Sequence, residues 1–158
     1  DQRNIIGLEI LASILSVGRN SKLVKILKED KNLVESVYVD VSAGELGGLF
    51  IIEASCEEKD IFLVEKQINK TVDEISDHKI LTLDEIRKAI NIVKSNYVFN
   101  LETSTQLSSF FGNELLWGRK SSINDLENHL IYWNDLNNFQ NITRYISSDK
   151  FTLIASPS

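Results

Sequence analysis

Absences bound this chain first. Its one cysteine, Cys56, cannot form a disulfide within the chain, so cysteine usage leaves the redox compartment open. No run of about twenty apolar residues occurs, which argues against a helical membrane span. Basic residues are outnumbered: the formal net charge is −6, against the basic patch that a nucleic-acid or anionic-membrane partner selects. Asp1-Gln2-Arg3-Asn4 is not a signal peptide. Methionine is absent even at the first position, and Pro157 is the only proline. Both suit a segment of a longer protein. At 158 residues and 42% hydrophobic composition the chain is read as one domain, 1–158, able to bury a core of its own.

What is present is organised around residues 18–56. Leu23, Ile26 and Leu27 share a face of a short helix, with Lys25, Lys28 and Glu29 opposite. Val37, Val39, Val41 and Ala43 then alternate with Ser36, Tyr38, Asp40 and Ser42, the period of a strand. Gly44 to Gly48 supplies a turn, and Phe50, Ile52, Ala54 and Cys56 form the apolar face of the returning strand.

Around this hairpin the period is helical. Asn4–Val17 carries Ile5, Leu8, Leu11, Ala12 and Leu15 on one stripe, and Gly18 ends it. Asp60 is read as the N-cap of a helix bearing Ile61, Val64, Ile68, Val72 and Ile75, interrupted at Ser76–Lys79. Thr82 with Glu85 forms a capping box for a helix through Leu101. Thr103–Trp117 repeats the helical period with Leu107, Phe110, Phe111 and Leu115, and Gly118 stops it. Ser122 with Asp125 opens a short helix through Leu126 and Leu130. Asn134 or Asp135 caps a last one with Leu136, Phe139, Ile142 and Ile146, and Phe151–Ser156 alternates as a closing strand. The expected class is α+β, a small antiparallel sheet covered by helices in the order α-α-β-β-α-α-α-α-α-β.

Three blocks carry a family resemblance: Gly18-Arg19-Asn20-Ser21-Lys22-Leu23, the run LKEDKNLVESV from Leu27 to Val37, and Gly48-Leu49-Phe50-Ile51-Ile52-Glu53-Ala54. A further match runs from Lys88-Ala89 through Lys94-Ser95 to Phe99-Asn100-Leu101-Glu102-Thr103. In this order and spacing they resemble the non-metal-binding domain of the pitrilysin/insulinase-like zinc metallopeptidases, which include the mitochondrial processing peptidases. The resemblance implies a half-domain that closes like a clam shell with a metal-bearing half, in the same chain or a partner subunit, around an unfolded peptide. Zinc would sit in that other half. The family's domain opens with a strand before its first helix, which this segment lacks.

No catalytic centre is expected within the segment. The family's zinc motif, H-x-x-E-H, does not occur: His78 and His129 are far apart with no glutamate between them at helical spacing. No G-x-S-x-G elbow is present, and Gly44–Gly48 lacks the Lys and Ser/Thr of a phosphate loop. Cys56 reads as a buried, inert thiol, and Thr103-Ser104-Thr105 as a helix break or N-cap. By resemblance, Lys28 and Glu35 stand where catalytically competent relatives place an Arg and a Tyr that reach across to the metal-bearing half and bind substrate or the polarised carbonyl. Lysine keeps the charge without the planar fork, and an ionised Glu35 can only accept. Asn32 replaces a family Gly and is tolerated because Asn enters the left-handed region. Two functions compete: a non-catalytic domain walling a peptide chamber, or a structural subunit that has lost peptidase function.

Overall fold

The computed structural model describes residues 2–44, 47–77, 80–99, 102–116, 123–147 and 150–155. The fold is α+β. Among the described residues it contains seven α-helices and one two-stranded antiparallel sheet.

The first helix, α1 (Gln2–Ser16), is the centre of the core. Ile6, Ile10, Leu11 and Leu15 are completely buried, and Gly7, Ala12, Ser13 and Ile14 nearly so. The expected one-sided stripe is therefore too narrow: Ile5 and Leu8 are only half-buried, while Ile6, Ile10 and Ile14 are inside. A helix packed against α3, β1, α5 and α6 at once has little solvent face left to reserve for polar residues. Gly7 is where Trp133 packs, since a Cβ there would lie 2.7 Å from the indole. Gly18 ends the segment at φ +87°, the left-handed backbone expected of it.

The hairpin pairs β1 (Ser36–Ala43) with β2 (Gly48–Ser55), and its register brings the two expected faces together: Val37 faces Ala54, which is exposed, Val39 faces Ile52 and Val41 faces Phe50. Its apolar face meets α1 at the Val37 end, where the side chain is buried, and opens to solvent toward Ala43. The Val39 N–H donates to Ser16 Oγ at 3.2 Å, tying β1 to the end of α1. Gly44 N–H donates to the Gly47 carbonyl at 2.7 Å, and a Cβ on Gly48 would press on the Ser42 carbonyl at 2.8 Å.

Helix α2 (Ile61–Ser76) buries Val64, Val72 and Ile75. Asp60 does not cap it. A 3₁₀ turn, Glu58–Asp60, leads in, and the Asp60 side chain makes no cap bond. Helix α3 (Leu83–Phe99) starts on the expected capping box: Glu85 N–H donates to Thr82 Oγ1 at 3.3 Å and Thr82 N–H to Glu85 Oε2 at 3.0 Å. Helix α4 (Ser104–Leu116) is capped by Thr103, whose Oγ1 accepts from Gln106 N–H at 3.2 Å. Helix α5 (Ile123–Trp133) follows; Ser122, its expected first capping residue, lies outside the described residues, as do Trp117 and Gly118.

Two expectations at the end of the chain are corrected. The last helix is two: α6 (Leu136–Ile142), capped by Asp135 through Asn137 N–H at 2.8 Å, and α7 (Arg144–Ser147). They part at Thr143, whose Oγ1 donates to the Gln140 carbonyl at 2.8 Å, a local bond that competes with the helix ladder. Residues 151–155 form no strand. They run exposed beside α2, held by Lys150 Nζ to Asp73 Oδ1 at 3.1 Å and Thr152 Oγ1 to Glu65 Oε1 at 2.7 Å. Alternation marks a strand only where a neighbouring strand completes its hydrogen bonds, and among the described residues none does.

Candidate functional site

Lys28 and Glu35 are seven residues apart in sequence, and the segment between them brings them together. Its first half is not the α-helix expected around Leu23–Leu27 but a π-helix, Val24–Asp30, whose wider turn keeps Leu27 buried while Lys28 stays exposed. Asn32 then reverses the chain at φ +48°, as expected of an Asn in a glycine position. Leu33 N–H closes the turn on the Leu27 carbonyl at 2.7 Å. Glu35 N–H donates to the Ser55 carbonyl at 2.8 Å, continuing the hairpin ladder one step past β1.

The result is a direct contact. Lys28 Nζ donates to the main-chain carbonyl of Glu35 at 2.7 Å, while both side chains are exposed. The ammonium is thus engaged with the backbone and not with the Glu35 carboxylate. Anything that uses Lys28 as a donor must share or break that bond.

Polar contacts pin the segment on both sides. Lys22 pairs with Glu85 at 2.6 Å, which joins it to α3, and Lys31 Nζ donates to Gln67 Oε1 at 2.8 Å, which joins it to α2. Burial raises the Glu85 pKa, but hydrogen bonds from Lys22 and Thr82 outweigh it and hold the carboxyl below its ordinary range. Arg19 grips Glu29 with two bonds, Nη2–Oε2 at 2.7 Å and Nε–Oε1 at 3.3 Å; the hydrogen bond lowers the Glu29 pKa. Sequence reasoning missed the π-helix and all three clasps. Their only trace was the charge of Arg19, Lys22 and Glu29 around a short apolar face.

The other candidates stay apart. His129, half-buried on α5, has its pKa lowered by burial and by the charge of Arg3, with Asp125 opposing. His78 lies outside the described residues. No three His, Cys, Asp or Glu side chains among the described residues converge as a metal site, so the residues described do not fit a zinc ion. Cys56 is half-buried, less than expected, and its thiol pKa is raised by burial and then by Asp60. Lys59, the one nearby cation, pairs with Glu57 at 2.6 Å. Among the described residues no helix is long and apolar enough to cross a membrane.

Glu9 is a site that the periodicity hid. It sits on α1 among apolar residues and accepts from the Tyr97 hydroxyl at 3.3 Å. Burial raises its pKa, the Tyr97 bond opposes that, and Asp40 adds to it.

Comparison with known proteins agrees with this architecture. Residues 1–93 match the family described as Peptidase M16 inactive domain. An uncharacterized zinc protease of Streptomyces coelicolor is 31% identical over 118 residues, 74% of this chain and 26% of that protein. The uncharacterized zinc protease YmxG of Bacillus subtilis is 26% identical over 156 residues, 98% of this chain and 38% of that protein. The chain thus spans well under half the length of these relatives. In structure, 90% of it superposes on a protease from Helicobacter pylori with a TM-score of 0.79 at 17% identity, covering 34% of that chain. A chain of complex III2 from Candida albicans gives 0.78 at 18% identity over 90% of this chain and 36% of that one.

Proposed function

Since the chain belongs to the peptidase M16 family, as its inactive domain, we propose that it is a non-catalytic wall of a peptide-binding chamber closed by a metal-bearing half. That half would come from the same protein or a partner subunit. The zinc protease relatives supply the class of chemistry, peptide hydrolysis, and this domain's share is to hold and orient the peptide.

One observation supports reading Lys28 and Glu35 as part of a substrate face. The π-helix and the Asn32 turn set the Lys28 ammonium against the main-chain carbonyl of Glu35 at the base of the hairpin, 2.7 Å apart, with both residues exposed. A donor and an extended backbone edge there can meet a peptide main chain. The same contact weakens the pair as a catalytic aid. Lys28 already donates to Glu35, and an ionised Glu35 side chain would repel the negative charge that develops on a scissile carbonyl.

That weakness favours a second reading, a structural subunit without peptidase activity. Peptide turnover by the whole protein, supplied with its metal-bearing half, separates the two. For the chamber reading, Lys28→Arg with Glu35→Tyr restores two donors and raises turnover. Loss of one such donor costs about 100-fold in other enzymes. Equal rates from two well-folded proteins would take these positions off the substrate face, and no turnover from either would support the structural subunit.

A further inference from the structure

Away from the Lys28 segment, a cleft of about 410 Å³ opens between the first turn of α1 and the α5–α7 end of the chain. Its apolar wall is fixed. Trp133 is 2% exposed and its indole N–H donates to the Arg3 carbonyl at 2.7 Å. Tyr132 meets it edge-on with centroids 4.8 Å apart, and the Arg3 guanidinium lies 4.7 Å over the Tyr132 ring. The polar lining is rich in donors. Asn4 Nδ2 donates to the Tyr145 oxygen at 3.0 Å, so that oxygen's acceptor side is taken and its proton is left to give. Arg144 also lines the cleft, and its guanidinium has no partner among the described residues.

We propose that this cleft binds a carboxylate carried on an aromatic or bulky apolar stem, with the Arg144 fork and the Tyr145 hydroxyl on the carboxylate and the half-buried Tyr132 ring, backed by Trp133, against the stem. Both donors line the cleft, and a planar fork together with a hydroxyl donor suits the two oxygens of a carboxylate. A doubly charged phosphate is less suited, because the second cation, Arg3, is already drawn over a ring. The last residue of a peptide and a free arylacetic acid share the required chemistry. The site does not depend on the chamber reading, since it uses none of its residues.

The test is titration of the protein, followed by NMR at the Trp133 indole N–H, with N-acetyl-L-phenylalanine, its amide, phenylacetate and inorganic phosphate. Saturable binding of the two carboxylates is expected, with the amide at least about tenfold weaker. Tighter binding of the acetylated amino acid assigns the site to a peptide end, and tighter phenylacetate to a free acid; either supports the proposal. Arg144→Gln should weaken binding about tenfold or more, and Arg144→Lys less. Arg144 is exposed, so the melting temperature should not move. No saturation by about 20 mM, a range where even weak single-site ligands register, would overturn the proposal. So would equal binding of the amide, tighter binding of phosphate, or an Arg144→Gln protein that binds as the parent does.

Discussion

Helices α1 and α4 look alike in sequence and end in opposite surroundings. Each is 13–15 residues long with an apolar residue at least every third or fourth place. In α1, Ile6, Ile10, Leu11 and Leu15 are fully buried. In α4, Leu107 is half-buried, Phe111 is 41% exposed, and Leu115 and Leu116 are 76% and 81% exposed. Periodicity reports that a helix has something to bury. It does not report what covers it. Helix α1 is covered by the chain's own α3, α5, α6 and hairpin, whereas α4 packs only lightly on the rest of the described residues. Stability should therefore concentrate in α1.

The largest expected effect breaks that concentration directly. Leu11→Ala removes a fully buried side chain from the helix that packs against α3, β1, α5 and α6. A loss of about 2–5 kcal/mol is expected, read as a drop in the urea midpoint. A loss under about 1 kcal/mol, the range of ordinary surface changes, would mean that α1 is not the centre of the core.

How much of this was legible in the sequence follows the same line. The apolar faces of the hairpin were legible because a period of two separates the two faces of a strand, and the pairing of Val39 with Ile52 joins them. The Thr82–Glu85 box was legible because a cap is a local bond between near neighbours. The width of the α1 stripe was not, since a helix packed against several elements at once follows packing more than period. Nor was the Lys28–Glu35 contact: the sequence gives the two residue types, while the π-helix that directs Nζ onto a carbonyl depends on burying Leu27. The false closing strand at Phe151–Ser156 came from reading alternation without knowing whether a neighbouring strand existed.

A smaller effect, opposite in sign, sharpens the picture of α1. Glu9 is the carboxylate within it, and burial raises its pKa above the ordinary value in spite of the Tyr97 bond. The protonated form is thus the better tolerated one in the fold. Its favourable contribution is complete below the ordinary carboxylate pKa and is lost as pH rises through the folded value. Glu9→Gln keeps an acceptor for Tyr97 and removes the titration. The variant should be more stable than the parent at pH 7, with the difference shrinking toward pH 4. Urea midpoints of both proteins across that range test it, and a variant that is less stable only at pH 7 would reverse the sign argued here.

The smallest expected effect lies on α4 and tests the other side of the comparison. Leu116 is 81% exposed, so replacing it with Ser transfers almost nothing from the interior to water. Serine is also only slightly poorer than leucine as a helix former, a few tenths of a kcal/mol. Leu116→Ser should therefore leave the urea midpoint within about 0.5 kcal/mol of the parent. Leu115→Ser should do the same, and the double variant should stay close to the sum because neither side chain is packed in the core. Helix α3 is the internal control: Val93, 4% exposed, should cost clearly more when cut to Ala. If the Leu116 variant instead fell by about 2 kcal/mol or more, the size of a lost core contact, α4 would have to be covered in solution. The contrast between the two helices would then lie in what covers each one and not in whether it is covered.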